Sequence, residues 1–285
     1  MIINRKRCEE LKRHNVAIVD LDYGEIMQDG EYYLRSRKQD EGFKQALEKE
    51  RYISSTTDKH WVASYHDPIE EVSKRLSLTE TGAIIKLIPY IRFKSNGKLI
   101  KNGKPIKQAD IQRVFKRGKT ATRDILNKLK SEGVISVLKE GRSNVFYISD
   151  RFHDKGSVRD SDKFTKLYQV RTREITDELE LHEAGILYKI LPYFHYTEYY
   201  LVDNPDEEDV SKLRYIGRNE LARRIGMRRQ DLTRAVNKLR SKGALMSTNS
   251  SNSTLYLVHP DVMFRQTTET EWTEVVRKMF AKHMK

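Results

Sequence analysis

Apolar side chains recur along this chain in two rhythms, one every three or four residues and one every second residue. Ile84, Ile85, Leu87, Ile88 and Ile91 keep helical spacing, as do Ile186, Leu187, Ile190, Leu191 and Phe194. Pro89 and Pro192 fall near the end of each run, where a ring without an amide N–H should kink or end the helix. A second helical pattern, Ile111, Val114 and Phe115, breaks at Gly118, resumes as Thr122, Ile125, Leu126 and Leu129 on one face, and closes at Gly133. The same order returns in Leu221, Ala222 and Ile225, a break at Gly226, then Leu232, Ala235, Val236 and Leu239, closed by Gly243. Two short helices across a tight glycine turn predict a helix-turn-helix. After each closing glycine comes strand, polar turn, strand: VISVL, KEGRSN, VFYI and then ALMST, NSSNS, TLYLV.

Helix, helix-turn-helix and hairpin in that order predict a winged helix, here twice. The expected fold is mainly α with small β wings (α+β), with tandem winged helix-turn-helix domains at 61–155 and 160–265. Ahead of them, residues 1–60 hold a predicted hairpin, Val16 to Leu21 and Glu25 to Leu34 around Asp22-Tyr23-Gly24, then a polar stretch that is either helix or linker. Behind them, 268–285 predicts an amphipathic helix: a Thr268 to Glu271 capping pair precedes Trp272, Val275, Val276, Met279 and Phe280 at helical spacing. Its apolar face either docks on the second copy or makes a homodimer through Trp272, Val275, Met279 and Phe280.

The duplication is explicit in the letters. LSLTETGAIIKLIPYI (76–91) and LELHEAGILYKILPYF (179–194) match at seven of sixteen positions with an offset of 103. NKLKSEG (127–133) and NKLRSKG (237–243) follow at an offset of 110, so the second copy has gained seven residues near the acidic cluster 203–209. A third echo pairs Val145 to Ile148 with Thr254 to Leu257.

Length and charge add a partner. At 285 residues the chain suits two domains, and its net charge of +13 favours a polyanion. That charge is concentrated. Residues 76–155 carry 18 basic and 7 acidic side chains, and 212–242 carry 11 basic against Glu220 and Asp231. Cys8 is the single cysteine, which excludes a disulfide framework and a thiolate zinc cluster, and no apolar run approaches a membrane span. A cytoplasmic protein with no membrane partner is expected.

Catalytic signatures are missing. His182-Glu183 lacks the second histidine of a zinc helix, no histidine pair brackets a single apolar residue as in nicking sites, and no His-x-x-Arg with a nucleophilic Tyr marks a recombinase. Gly118-Lys119-Thr120 ends like a phosphate loop, but Arg113 stands where the earlier glycine belongs. No catalytic residues, metal, cofactor or small-molecule substrate are expected.

The outward faces of the second helices carry the candidate contacts. In the first copy these are Lys119, Thr120, Arg123 and Asn127, preceded by Lys116 and Arg117, with Lys139, Arg142 and Asn144 from the wing. In the second they are Arg228, Arg229, Gln230, Arg234 and Lys238, with Arg218 one helix earlier. Arginine can hold a guanine edge with two bonds, Gln and Asn suit adenine, and either cation can bind phosphate. Lys94, Lys98, Lys101, Lys104 and Lys107 form either a phosphate-contacting or a merely solvated loop. Tyr90, Tyr193, Tyr196, Tyr199 and Tyr200 either stack on bases or line the contact between helix and wing.

From 160 to 265 the chain resembles the RepL-type replication and regulatory proteins of small plasmids and phages. The likeness is carried by FTKLY, LELHEAGILYKILPYFHY, GRNELARRIGMRRQDLTRAVNKLRSKGAL and LYLVHPDVMFR, and Val19-Asp20 with Gly24-Glu25-Ile26 resembles their N-terminal hairpin. Such proteins usually carry one copy where this chain has two. The resemblance implies a double-stranded DNA-binding initiator or regulator of plasmid or phage replication in a bacterial cytoplasm or nucleoid. A transcriptional repressor or partition-site binder using the same surfaces is the alternative.

Overall fold

The computed structural model describes residues 18–19, 26–27, 60–141, 143–159, 162–250 and 253–283. Contacts divide the chain into two compact units, Met1–Thr57 and Asp58–Lys285. In the first, β1 (Ile18–Val19) pairs antiparallel with β2 (Ile26–Met27), Val19 opposite Ile26. The remainder of the expected hairpin, the 36–59 stretch, Cys8 and Arg142 lie outside the described residues.

The second unit begins with β3 (Trp61–Tyr65), α1 (His66–Ser73), α2 (Leu78–Leu87) and a 3-10 turn at Ile88–Tyr90. A small hairpin follows, β4 (Ile100–Lys101) and β5 (Lys104–Pro105), then α3 (Gln108–Phe115), α4 (Lys119–Ser131), the hairpin β6 (Ile135–Glu140) and β7 (Ser143–Ile148), and β8 (His153–Asp154). The succession then repeats as β9 (Phe164–Tyr168), α5 (Gln169–Asp177), α6 (Leu181–Lys189), a 3-10 turn at Leu191–Tyr193, α7 (Arg218–Ile225), α8 (Arg229–Ser241), β10 (Leu245–Ser250), β11 (Ser253–Val258) and β12 (Met263–Phe264). Last comes α9 (Glu271–His283). The result is a mixed α+β structure with nine α-helices among the described residues and small antiparallel sheets. Equivalent elements start at the sequence offsets: Leu78 plus 103 is Leu181, and Lys119 plus 110 is Arg229.

Local chemistry sets the boundaries. Ser77 caps α2 by accepting from the Glu80 amide while the Glu80 carboxylate accepts from the Ser77 amide, a reciprocal pair that satisfies two orphan donors. Pro89 and Pro192 stand in the 3-10 turns, so each helix tightens and stops where proline denies it a bond. Gly133 and Gly243 close α4 and α8 with φ of 70° and 66°. The break expected at Gly118 lies two residues earlier. Lys116 takes the left-handed conformation at φ 53°, and Gly118 opens α4 in extended backbone. The counterpart of Lys116, Gly226, has φ 72° and no Cβ to clash, whereas a side chain there costs roughly 1–2 kcal/mol.

The two copies join around a shared sheet and one helix crossing. Strands run in the order β12-β9-β3-β8, all antiparallel, so each copy contributes a central and an edge strand. Across this sheet α2 crosses α6 at very short range. A Cβ added to Gly82 would lie 1.7 Å from the Leu181 carbonyl oxygen, and one added to Gly185 would lie 2.0 Å from that of Leu78. Only glycine lets the backbones approach so closely. Two buried lysines reach across beside them: Lys86 Nζ donates to Thr176 O at 2.5 Å and Lys189 Nζ to Ser73 O at 2.9 Å. Each ammonium thus meets a carbonyl at the C-terminal end of a helix in the other copy, where the helix dipole favours positive charge. Glycine and lysine contacts both occur in reciprocal pairs, which defines a pseudo-twofold axis between the copies.

One hydrophobic core runs through both copies, from Val62 and Ile69 to Phe264. The terminal helix α9 joins it. Val276 and Phe280 are buried, Trp272 and Met279 pack partly against the core, and Arg277 binds Asp261 (2.7 Å) and Glu269 (2.6 Å). Of the four residues of the expected homodimer contact, Phe280 is buried in the chain's own core, Trp272 and Met279 are half-buried against it, and Val275 is 44% exposed.

Candidate nucleic-acid interface

The 3.6-residue period of α4 buries Thr122, Leu126 and Leu129 and leaves Lys119, Thr120, Arg123 and Asn127 exposed. In α8, Leu232, Ala235, Val236 and Leu239 are buried while Arg229, Gln230 and Arg234 point outward, with Arg228 exposed at the N-cap. Neither helix start has a side-chain cap. Its first-turn amides therefore face outward beside cations, a geometry suited to anionic oxygen. Asn237 and Lys130 are exposed on the same helices; helical spacing from Arg234 and Asn127 would have included both.

Ion pairs hold some of these side chains in place. Asp231 accepts from Arg228 Nε at 2.6 Å and lies 3.8 Å from Arg234, and the Arg228 bond draws its carboxyl below the usual range. Arg123 meets Asp124 at 3.5 Å and Lys238 meets Glu183 at 3.5 Å. Arg218 turns toward β11 and donates to Thr254 Oγ1 at 3.3 Å, which makes it a brace between α7 and the hairpin. Lys119 and Arg229 form no ion pair among the described residues.

Beside α4, Lys139 and Asn144 stand opposite one another in the β6–β7 ladder, both exposed. A groove of about 160 Å³ between helix and hairpin is lined by Arg123, Asn127, Lys130 and Asn144 together with Val137 and Phe146. In the loop before α3, Lys98 is bound to Glu140 at 2.7 Å and Lys101 lies 3.7 Å from Asp110, while Lys104 and Lys107 stay exposed.

Lys116 and Arg117 do not join this surface. Lys116 Nζ donates to Asp177 O at 2.6 Å and Arg117 Nη2 to Glu180 Oε2 at 3.0 Å, so both turn to the second copy. The Arg117 guanidinium holds the Glu180 carboxyl below its ordinary range. The partners lie 61 and 63 residues away, and no local pattern announces them.

The tyrosines are mostly occupied. Tyr90 and Tyr199 are buried, Tyr193 carries the Arg224 guanidinium 4.7 Å above its ring, and Tyr200 bridges to Leu257 of the hairpin. Of the four histidines buried among the described residues, His153 lies between Ser64 Oγ (3.0 Å) and the Tyr188 hydroxyl (3.1 Å), and His66 against Thr165 Oγ1 (2.9 Å). Burial drives the pKa of each down to about 3, so both are neutral and structural.

What the surface can do follows from its groups. Guanidinium forks and side-chain amides on two equivalent helices can pair with base edges, and the ammonium groups and helix starts can hold phosphates. Among the described residues no helix is long and apolar enough to cross a membrane. Compared with protein families, curated proteins and solved structures, the chain matches none.

Proposed function

We propose that this chain is a sequence-specific double-stranded DNA-binding protein, built from two winged helices and acting as an initiator or regulator of plasmid or phage replication. One observation carries the reading. In two 13-residue helices the buried face is apolar and the outward face pairs cations with amide or hydroxyl groups: Lys119, Thr120 and Asn127 match Arg229, Gln230 and Asn237 position for position, and Arg123 and Arg234 stand one register step apart on the same outward faces. Exposed cations on one helix are ordinary; the same arrangement in both copies, in a chain of net charge +13, favours a duplex. That α4 and α8 lie in one compact unit, related by a pseudo-twofold axis but differing in side chains, supports a site with two different halves.

Selection of bound duplexes from a random pool tests this. The expected outcome is an enriched site with two separate blocks, bound with a log–log salt slope steeper than about −4, since each head should neutralise several phosphates. A slope near zero would remove the nucleic-acid reading.

A further inference from the structure

One break in the pseudo-twofold symmetry falls on the turns that precede the two recognition helices. In the first copy the α3–α4 turn is fastened across the axis by Lys116 to Asp177 O and by Arg117 to Glu180. Offsets of 110 and 103 give the equivalent groups: Gly226 and Met227 in the turn, facing Lys74 and Ser77. Glycine has no side chain to donate across the axis, the Met227 side chain supplies apolar packing without a directional bond, and Ser77 brings no carboxylate. A groove of about 760 Å³ lies there, lined by Leu78 of the first copy and by Glu183, Met227, Arg228 and Arg234 of the second.

The far ends of the helices are held in both copies. Glu132, just after α4, accepts from Arg75 at 2.7 Å, and Lys242, just after α8, reaches Glu178 and offers its carbonyl to Arg171 at 3.4 Å. The pair Lys238–Glu183 lies one turn from that end of α8. So α4 is tied at both ends, while α8 is tied at its C-terminal end and has open space at its start.

We infer that Lys116 and Arg117 are positioning residues that fix the first recognition helix, while the second pivots over the groove, and that this asymmetry sets which half-site separations the protein accepts. The last part rests on the DNA reading above; the fastening does not. Fixing one head and freeing the other lets a single chain accept a neighbouring spacing without loosening both contacts. The cost of the left-handed Lys116 is consistent with this role, because a glycine there would relax the backbone and lose the fastening.

Hydrogen exchange on the free full-length chain reads the fastening directly. Amides 226–229 should exchange about five-fold faster than 116–119, and the pair Lys116→Gly with Arg117→Met should raise 116–119 to the same rate with the α2 and α6 amides unchanged. The converse variant, Ser77→Glu with Gly226→Lys and Met227→Arg, should slow 226–229. Equal exchange of the two turns in the unaltered protein, or no response to either variant, overturns the inference. On duplexes whose two blocks are separated by random spacers, the first variant should widen the accepted range and the second narrow it. An unchanged range overturns the separation rule. Absence of any duplex binding would remove the DNA reading and the separation rule together, leaving exchange to decide the fastening alone.

Discussion

Ala63 stands opposite Lys166 in the β3–β9 ladder, and these two residues are each other's counterparts in the repeat, 103 positions apart. The pseudo-twofold axis therefore passes through this pair. A methyl group on one side faces a fully buried ammonium on the other, whose Nζ donates to Gln266 O at 2.7 Å and lies 5.2 Å from the Phe264 ring. The copies have diverged at the point of closest equivalence.

Buried lysines make stability depend on pH in a stated direction. Burial lowers Lys86 to about 8 and Lys166 to about 7 from an ordinary 10.5, and lowers Lys189 as well. Between those values and 10.5 the unfolded chain binds more protons than the folded one, so stability rises with pH from about 7 to about 10. Lys86→Met should flatten the rise above 8 in urea melts recorded at successive pH values. On the acid side, His66 and His153 at about 3 remove stability as pH falls below their ordinary 6.5, because only the unfolded chain takes up the protons.

Alanine at Gly82 gives an opposite sign to helix propensity. Inside an exposed helix the change would gain about 1 kcal/mol. Here the new methyl meets the Leu181 carbonyl at 1.7 Å, and overpacking against backbone should destabilise by about 3 kcal/mol or more. Chemical denaturation of Gly82→Ala and Gly185→Ala, with similar losses for both, is the expected outcome.

The α9 helix should behave as core. Truncating Phe280 to Ala should cost about 3–5 kcal/mol, and the mass of the protein in solution should not change, because the ring is spent on His259 4.7 Å away within the same chain. A fall in mass without loss of stability would favour the dimer contact that the sequence suggests.

On DNA, the two heads should separate by chemistry. Arg229→Ala should cost about 1–3 kcal/mol on a selected site and much less on random duplex, while Lys139→Ala in the first hairpin should weaken both and lower the salt slope by about one. Filter or anisotropy titrations across a salt series give both quantities.

Much of this architecture is legible in the sequence because it is periodic. The faces of α4 and α8 follow from 3.6-residue spacing, and the repeat offsets locate nearly every element of the second copy from the first. What escaped has long-range causes. Gly82, Lys86 and their counterparts are identical in the two copies, yet spacing alone gives a lysine inside an apolar run no partner; the acceptors, Thr176 O and Ser73 O, lie 90 and 116 residues away. The sequence puts the turn at Gly118 and Lys116 among the outward contacts, because glycine is the usual signal for a left-handed backbone and Gly118 stands close by, whereas Lys116 itself makes the turn. The apolar stripe of α9 was plain, but a stripe does not say which surface covers it.

The glycine crossing of α2 and α6 also bears on dosage. A dimeric reader must first assemble, so its occupancy depends on a higher power of protein concentration when the subunits are scarce. With both heads in one polypeptide, locked together at Gly82 and Gly185, the second head meets its half-site at a local concentration fixed by geometry. On the DNA reading, one chain would then titrate one site hyperbolically, with a Hill coefficient of about one, and occupancy would track the number of chains in the cell without a threshold.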